Sequence, residues 1–200
     1  QPLGDSLNNL TNLQKLTFGK AFDQPLGDSL NNKIQLQELS FGYYFNQLLG
    51  DSLKNQIQLQ QLTFGYKFNQ PLGDSLNNQI QLQQLTFGNY FNKPLDDSLN
   101  NLINLQKLTF GSEFNQPLGD SLNNLTKLQE LTLNYKFNMQ IEIPTNIKIL
   151  KLNCNNINLI DNLPNSIEEL YLLNQFNLEL NNLPNSIKII LFDKYSNYNK

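Results

Sequence analysis

The chain is 200 residues long, 39% hydrophobic and 16% charged, with a net charge of −3, one cysteine and no histidine. That length suits one domain or two small ones. The acidic balance excludes the basic stripe that grips nucleic-acid phosphates, and the lone Cys154 excludes an internal disulfide framework and fits a reducing compartment.

The first residues, Gln1-Pro2-Leu3, return as Gln24-Pro25-Leu26, so the chain opens inside a repeating unit and reads as a piece of a longer protein. Phe22, Phe45, Phe68, Phe91, Phe114 and Phe137 are each 23 residues apart. Three leucine columns keep the same step: one from Leu7 to Leu122, one from Leu13 to Leu128, one from Leu16 to Leu131. A fixed period of this length marks a solenoid, in which each unit buries its apolar face on its neighbours.

Within the first unit, "DSLNNLTNL" places Leu7, Leu10 and Leu13 at about helical spacing and predicts a short outer helix, with Asp5 or Ser6 as its cap. "LTF" follows as a short strand: Leu16 and Phe18 point inward and Thr17 outward. Gly19 then supplies a turn position free to take positive φ. Phe22 turns back inward, and "QPLGD" makes a bend that ends any helix. Later units repeat this order up to Phe137. Beyond it the step shortens: Pro144, Pro164 and Pro184 are 20 apart, as are Ile147, Ile167 and Ile187. Residues 147–157, "IKILKLNCNNI", match the leucine-rich-repeat pattern L-x-x-L-x-L-x-x-N-x-L. The expected fold is one α/β repeat solenoid over 1–200, leucine-rich-repeat-like and right-handed. It has 23-residue coils over 1–137, then 20-residue coils and a tail over 138–200. A parallel sheet lines its concave face. Short helices back the 23-residue coils, and 3₁₀ or extended segments back the 20-residue ones, where the curvature should change.

"FGYKFNQPL" at 64–72 and "FGSEFNQPL" at 110–118 closely resemble FNIP repeats, a leucine-rich-repeat-like family of social amoebae and of large DNA viruses of amoebae. The resemblance covers about residues 1–140, and "LPNSIEELYL" at 163–172 looks like the family's shorter form. Two copies depart from the pattern, with Leu48 in place of proline and Asp96 in place of glycine. The resemblance implies an N-terminal F-box upstream of this segment, and hence substrate recognition for a ubiquitin ligase.

The repeated residues read as frame. The Phe ladder could be a ligand box, but stacking in the core is the expectation. The column Asn46, Asn69, Asn92, Asn115 and Asn138 is expected to satisfy backbone groups at each turn. Asp5, Asp28, Asp51, Asp74, Asp97 and Asp120 read as caps, with cation binding the lesser reading. Without histidine, the Gly-Asp-Ser triplets lack the commonest general base, and Cys154 lacks a nucleophile's partner. The chain is therefore expected to be no enzyme and to hold no cofactor or metal.

Two surfaces carry the expected function. One is the outward face of the strands: Lys15, Glu38, Gln61, Gln84, Lys107, Glu130, Glu169 and Tyr171. The other is the variable pair between Gly and Phe, where Tyr43, Tyr44, Tyr66 and Tyr90 would line one rim. There the rings either meet a partner or stack on one another and shield the edge. Ile189 and Leu191 put apolar residues outward on the last strand, to be covered by the tail, with Tyr195 or Tyr198, or by a partner. The expected function is a protein–protein interaction module with a protein partner of unknown identity, no nucleic acid and no membrane. No apolar run is long enough to span a membrane and no signal-peptide pattern is present, so the expected place is the cytoplasm, or the host cytoplasm for a viral protein. The alternative is a structural or surface-adhesion repeat, secreted or on a virion, which glycans on Asn9 or Asn124 would favour. The sequence leaves the oligomeric state open.

Overall fold

The computed structural model describes residues 3, 6–154, 156, 159–173, 180 and 182–192. Its strands are β1 (Lys15–Thr17), β2 (Glu38–Ser40), β3 (Gln61–Thr63), β4 (Gln84–Thr86), β5 (Lys107–Thr109), β6 (Glu130–Leu133), β7 (Ile149–Leu152), β8 (Glu169–Leu172) and β9 (Ile189–Phe192). They form a single parallel sheet in chain order. Register follows the repeat: Leu16 faces Leu39, Leu39 faces Leu62, and so on to Leu170 opposite Ile190. Identical positions therefore stack on one another, one strand spacing of about 4.8 Å apart.

This stacking converts the sequence columns into physical ladders. Two columns of phenylalanine run through the core. Phe41, Phe64 and Phe87 stack with centroids 5.5–5.6 Å apart, and each lies 4.0 Å from the second ring of its own coil, Phe45, Phe68 and Phe91. These rings are buried, as are the leucines of the two inner columns from β2 onward. The Asn column satisfies backbone as expected. Each Oδ1 accepts the N–H of the same position one coil on, from Asn46 N on Asp23 to Asn138 N on Asn115, at 2.8–3.0 Å. Gln47, Gln70 and Gln116 add amide donors to the same oxygens.

The outer helices do not form. Between Leu26 and Leu36 the backbone bonds all run from residue i+3 to i (Ser29 to Leu26, Asn31 to Asp28, Lys33 to Leu30, Leu36 to Lys33), a string of turns. The only helical segment among the described residues of the 23-residue coils is a single 3₁₀ turn, Gly119–Leu122. An α-helix needs a longer run to repay nucleation, and the Asn-rich segment is a poor helix former. The described residues of the 20-residue coils carry such turns as well, Ile147 to Pro144, Leu159 to Asn156, Ile167 to Pro164 and Ile187 to Pro184. With no helix to cap, the aspartates serve otherwise: Asp28, Asp74, Asp97 and Asp120 accept the side-chain amide of the asparagine three residues on. Asp51 pairs instead with Lys54, and Asp5 lies outside the described residues.

The two glycine columns have opposite causes. Gly27, Gly50, Gly73 and Gly119 take positive φ, and Asp96 does so at φ 43° in the fourth copy. Gly42, Gly65, Gly88 and Gly111 do not take positive φ, against expectation. A Cβ there would overlap the carbonyl oxygen of the glycine one coil earlier, so the column exists for close approach of backbones.

One core column is polar. Leu102 and Leu125 are buried where Lys33, Gln56 and Gln79 are buried in earlier coils. Gln56 Nε2 donates to Leu30 O at 2.6 Å and Gln79 Nε2 to Leu53 O at 2.7 Å. Lys33 Nζ and both Oε1 atoms find no hydrogen-bond partner among the described residues.

Two outcomes follow from this packing. Gly65→Ala should lower unfolding free energy by about 3 kcal/mol in a denaturant titration, whereas Gly19→Ala, whose Cβ would meet nothing within 4 Å, should leave it unchanged. Lys33→Leu should raise stability by about 1 kcal/mol or more, since it removes a buried unpartnered donor; a loss would mean that the ammonium has a partner in solution.

Candidate interaction surface

The strand side chains that face solvent form a strip with charged ends and a neutral middle. At one end Lys15 pairs with Glu38 at 2.5 Å. At the other, Glu130 lies between Lys107 at 3.0 Å and Lys151 at 2.7 Å. Burial would raise the Glu130 carboxyl, but Lys151 and then Lys107 outweigh it and hold the group below the ordinary carboxylate range. Lys151 also lies 5.2 Å from the ring of Tyr171, whose hydroxyl donates to Glu169 at 2.7 Å. That bond holds the phenol above its usual value. Lys15, Glu38, Lys107, Glu130 and Lys151 are thus paired between neighbouring coils, and Glu169 is held by the Tyr171 hydroxyl of its own strand. Gln61 and Gln84, both exposed, occupy the middle with no charge.

The rim stands beside that middle. The Phe-to-Phe turn lifts two residues per coil between the glycine and the inward ring, and successive turns are tied by Tyr44 N to Lys20 O, Lys67 N to Tyr43 O and Tyr90 N to Tyr66 O. Tyr43 and Tyr66 stack at 4.6 Å and 4°, Tyr44 meets Tyr43 edge-on at 4.8 Å, and Tyr66 and Tyr90 lie tilted at 5.1 Å. Lys67 caps the Tyr90 ring at 4.0 Å and Lys20 lies 5.4 Å from that of Tyr43. Tyr90 first of all, with Tyr43 and Tyr66 behind it, holds the Lys67 ammonium above its ordinary value. Ring faces are therefore largely used between coils, while Tyr43, Tyr44 and Tyr90 stay 37–48% exposed and offer edges and hydroxyls. Among the described residues neither Lys20 nor Lys67 pairs with a carboxylate.

The structure thus brings Tyr43, Tyr44, Tyr66 and Tyr90 together just past the ends of β2, β3 and β4, whose last residues are Ser40, Thr63 and Thr86, and in other coils than Lys107, Glu130, Glu169 and Tyr171. Cys154 is buried, and burial pushes its thiol up against a weaker opposing bond from the Asn156 backbone. A groove of about 690 Å³ runs past Asp96, Asp97 and Asp120, but no group of three or more metal-ligating side chains converges among the described residues. On β9, Ile189 and Leu191 are exposed, and so are Ile190 and Phe192, which occupy the inward register. The tail from 193 onward, with Tyr195 and Tyr198, lies outside the described residues.

Three features escape a column-by-column reading of the sequence. Lys151 joins Glu130 across the change from 23- to 20-residue spacing. The polar column Lys33, Gln56 and Gln79 is buried, and beside it Ile34, Ile57, Ile80 and Ile103 are exposed. The signal for the last two was the dipeptide: Leu10-Thr11 and Leu125-Thr126 become Lys33-Ile34, Gln56-Ile57 and Gln79-Ile80.

No family profile matches the chain, and no curated protein matches it. Solved structures do. CroV588, a circular leucine-rich-repeat protein of a giant virus, superposes with a TM-score of 0.59 and 26% identity, over 91% of this chain and 34% of CroV588. The internalin InlF of Listeria monocytogenes superposes with a TM-score of 0.66 and 16% identity, over 94% of this chain and 56% of InlF. The fold is that of a leucine-rich-repeat-like parallel solenoid. This chain spans about a third of the one neighbour and just over half of the other.

The Glu130 carboxyl lies below its unfolded value, so its stabilisation is full above the ordinary glutamate range and is lost as pH falls through the depressed value. Glu130→Gln should therefore lower the thermal midpoint at neutral pH and shrink the gap to wild type below about pH 4. A gap of constant size across that range would rule the ion triad out as its source.

Proposed function

We propose that the chain is a non-catalytic protein-binding scaffold, and that a protein partner docks on the sheet face of the coils bearing β2, β3 and β4, against the tyrosine rim. One observation carries this reading. Four tyrosines and two lysines without carboxylate partners gather at one edge of the sheet, in coils whose outward strand positions are Glu38, already paired with Lys15, and the neutral Gln61 and Gln84. Towards β5, β6 and β7 the charges of Lys107, Glu130 and Lys151 are engaged with one another across neighbouring coils. Tyrosine edges and hydroxyls contribute much to interfaces because they bring apolar area and a polar tip with little side-chain entropy to lose. The solenoid supplies a rigid, extended platform for them, and leucine-rich-repeat-like neighbours support the general role.

A narrower reading places the scaffold as the substrate-recognition part of an F-box-type ubiquitin-ligase adaptor in the cytoplasm. It rests on the likeness of the "FGxxFNxPL" units to FNIP repeats. Affinity capture from host-cell extract with the full-length protein, followed by immunoblotting for the ligase scaffold, tests both levels. Tyr43→Ala/Tyr44→Ala/Tyr66→Ala should reduce partner recovery about tenfold or more, the scale of losing one to two hot spots, with an unchanged thermal midpoint. Recovery equal to wild type would remove the rim from the binding site. A partner set without the ligase scaffold would remove the adaptor role and leave the binding role standing.

A further inference from the structure

Along the rim, the charges left unpaired beside the tyrosines are of one sign. One rim column reads Ala21, Tyr44, Lys67, Tyr90, Glu113 and Lys136; its single carboxylate, Glu113, is taken by Lys136 at 2.6 Å. In the companion column Lys20 precedes Tyr43 and Tyr66. Lys20 is exposed and Lys67 half-buried. Only tyrosines hold the Lys67 ammonium up, Tyr90 first, and no carboxylate contributes among the described residues. Lys93, half-buried just past Tyr90, likewise pairs with no carboxylate among them. Most acids of the same coils are already engaged. Glu38 is paired with Lys15, and Asp23 Oδ1 accepts Asn46 N and Gln47 Nε2. Further along each coil, past the positive-φ bend, Asp28, Asp51, Asp74 and Asp97 hold an Asn or Lys of their own turn, and Asp96 makes the bend itself. A chain of net charge −3 therefore carries a cationic patch where its tyrosines gather.

We propose that the partner element docking on this rim is an acidic, extended peptide segment, whose carboxylates meet Lys20 and Lys67 while its backbone lies against the tyrosines. This rests on the reading of the rim as a docking surface and names its occupant. What the rim leaves exposed is chemically of one kind. An aromatic ring is electron-rich on its face and electron-poor at its edge. The faces of Tyr43 and Tyr66 are turned on each other at 4.6 Å, and that of Tyr90 is capped by Lys67 at 4.0 Å. Ring edges, phenol O–H donors and ammonium groups remain for a partner, and all three favour an anion. A cationic partner needs free ring faces or free carboxylates, and the rim offers neither. Spacing agrees with an extended chain. Lys20 and Lys67 follow β1 and β3, two strand spacings or about 10 Å apart, and carboxylates three residues apart in an extended segment are separated by about the same distance. Flexible lysine stems also reach a pair two residues apart, which shares one face of the segment. Nucleic-acid phosphate fits less well, because two or three lysines on a chain of net charge −3 fall short of a basic stripe.

Fluorescence anisotropy of a labelled poly-glutamate of about ten residues, long enough to cross the rim, tests this on the full chain. Binding should be saturable and should weaken several-fold between about 50 and about 200 mM salt. A poly-glutamine of equal length should not bind. Lys20→Gln/Lys67→Gln should weaken poly-glutamate binding about fivefold or more with an unchanged thermal midpoint, and Lys148→Gln, at an exposed lysine outside the rim, should bind like wild type. Absence of saturable binding, equal loss in the Lys148 variant, or tighter binding of an oligothymidylate of the same length overturns the proposal. Partner capture separates it from the reading beneath it. If Tyr43→Ala/Tyr44→Ala/Tyr66→Ala lowers recovery and Lys20→Gln/Lys67→Gln does not, the rim binds but its occupant is not acidic. If neither set of changes moves recovery, the rim itself is not the site.

Discussion

Everything in this molecule depends on backbones stacked one strand spacing apart with zero offset. The tightest point is the glycine after each strand-end phenylalanine, where the next coil's glycine lies against the preceding carbonyl with no room for a methyl group. Given that approach, each side chain finds its own counterpart one coil away. The consequences follow by residue type. Phenylalanines stack, asparagines pass a hydrogen bond to the next backbone, and leucines close the core.

Self-stacking is hazardous for ions, because equal charges would be brought to one strand spacing. The aspartates Asp28, Asp51, Asp74, Asp97 and Asp120 do stack in this way, each held by an Asn or Lys of its own coil, but elsewhere the chain alternates. Lys15 meets Glu38, Glu113 meets Lys136, Lys107 meets Glu130, and Glu168 meets Lys188. Most of these pairs are exposed and add little stability singly. Their larger effect is on register, since a slip of one whole coil would place some of them against neutral or like-charged positions. Where the step changes from 23 to 20 residues, Glu130 reaches Lys107 on one side and Lys151 on the other, so this device carries across the junction.

The architecture was legible because a solenoid writes its geometry into the period. The Phe, Leu and Asn columns needed no further information. The outer helix was misread because leucines spaced by three fit both an amphipathic helix and a run of i→i+3 turns, and only backbone bonding decides between them. The roles of the two glycines were confused for lack of geometry, although the sequence held a clue. The glycine after Phe18, Phe41, Phe64, Phe87 and Phe110 never varies, while the one in "LGD" is replaced by Asp96, a residue that tolerates positive φ. The isoleucine row went unread because attention to each column hides an exchange between two adjacent columns. Partner identity is not written in the frame at all; it depends on the residues that differ between coils.

The asparagine ladder has a direction. Every Oδ1 faces the following coil and every matching N–H faces the preceding one, from Asp23 to Asn138. Each 23-residue unit thus presents a donor on one side and an acceptor on the other, and its two faces fit any other unit. Duplication or loss of a whole unit leaves the joint intact, whereas a shift of even one residue breaks the ladder, the ring stack and the glycine contact together. Length is therefore a quantity this gene can change by copying, in steps of one coil, without designing a new core.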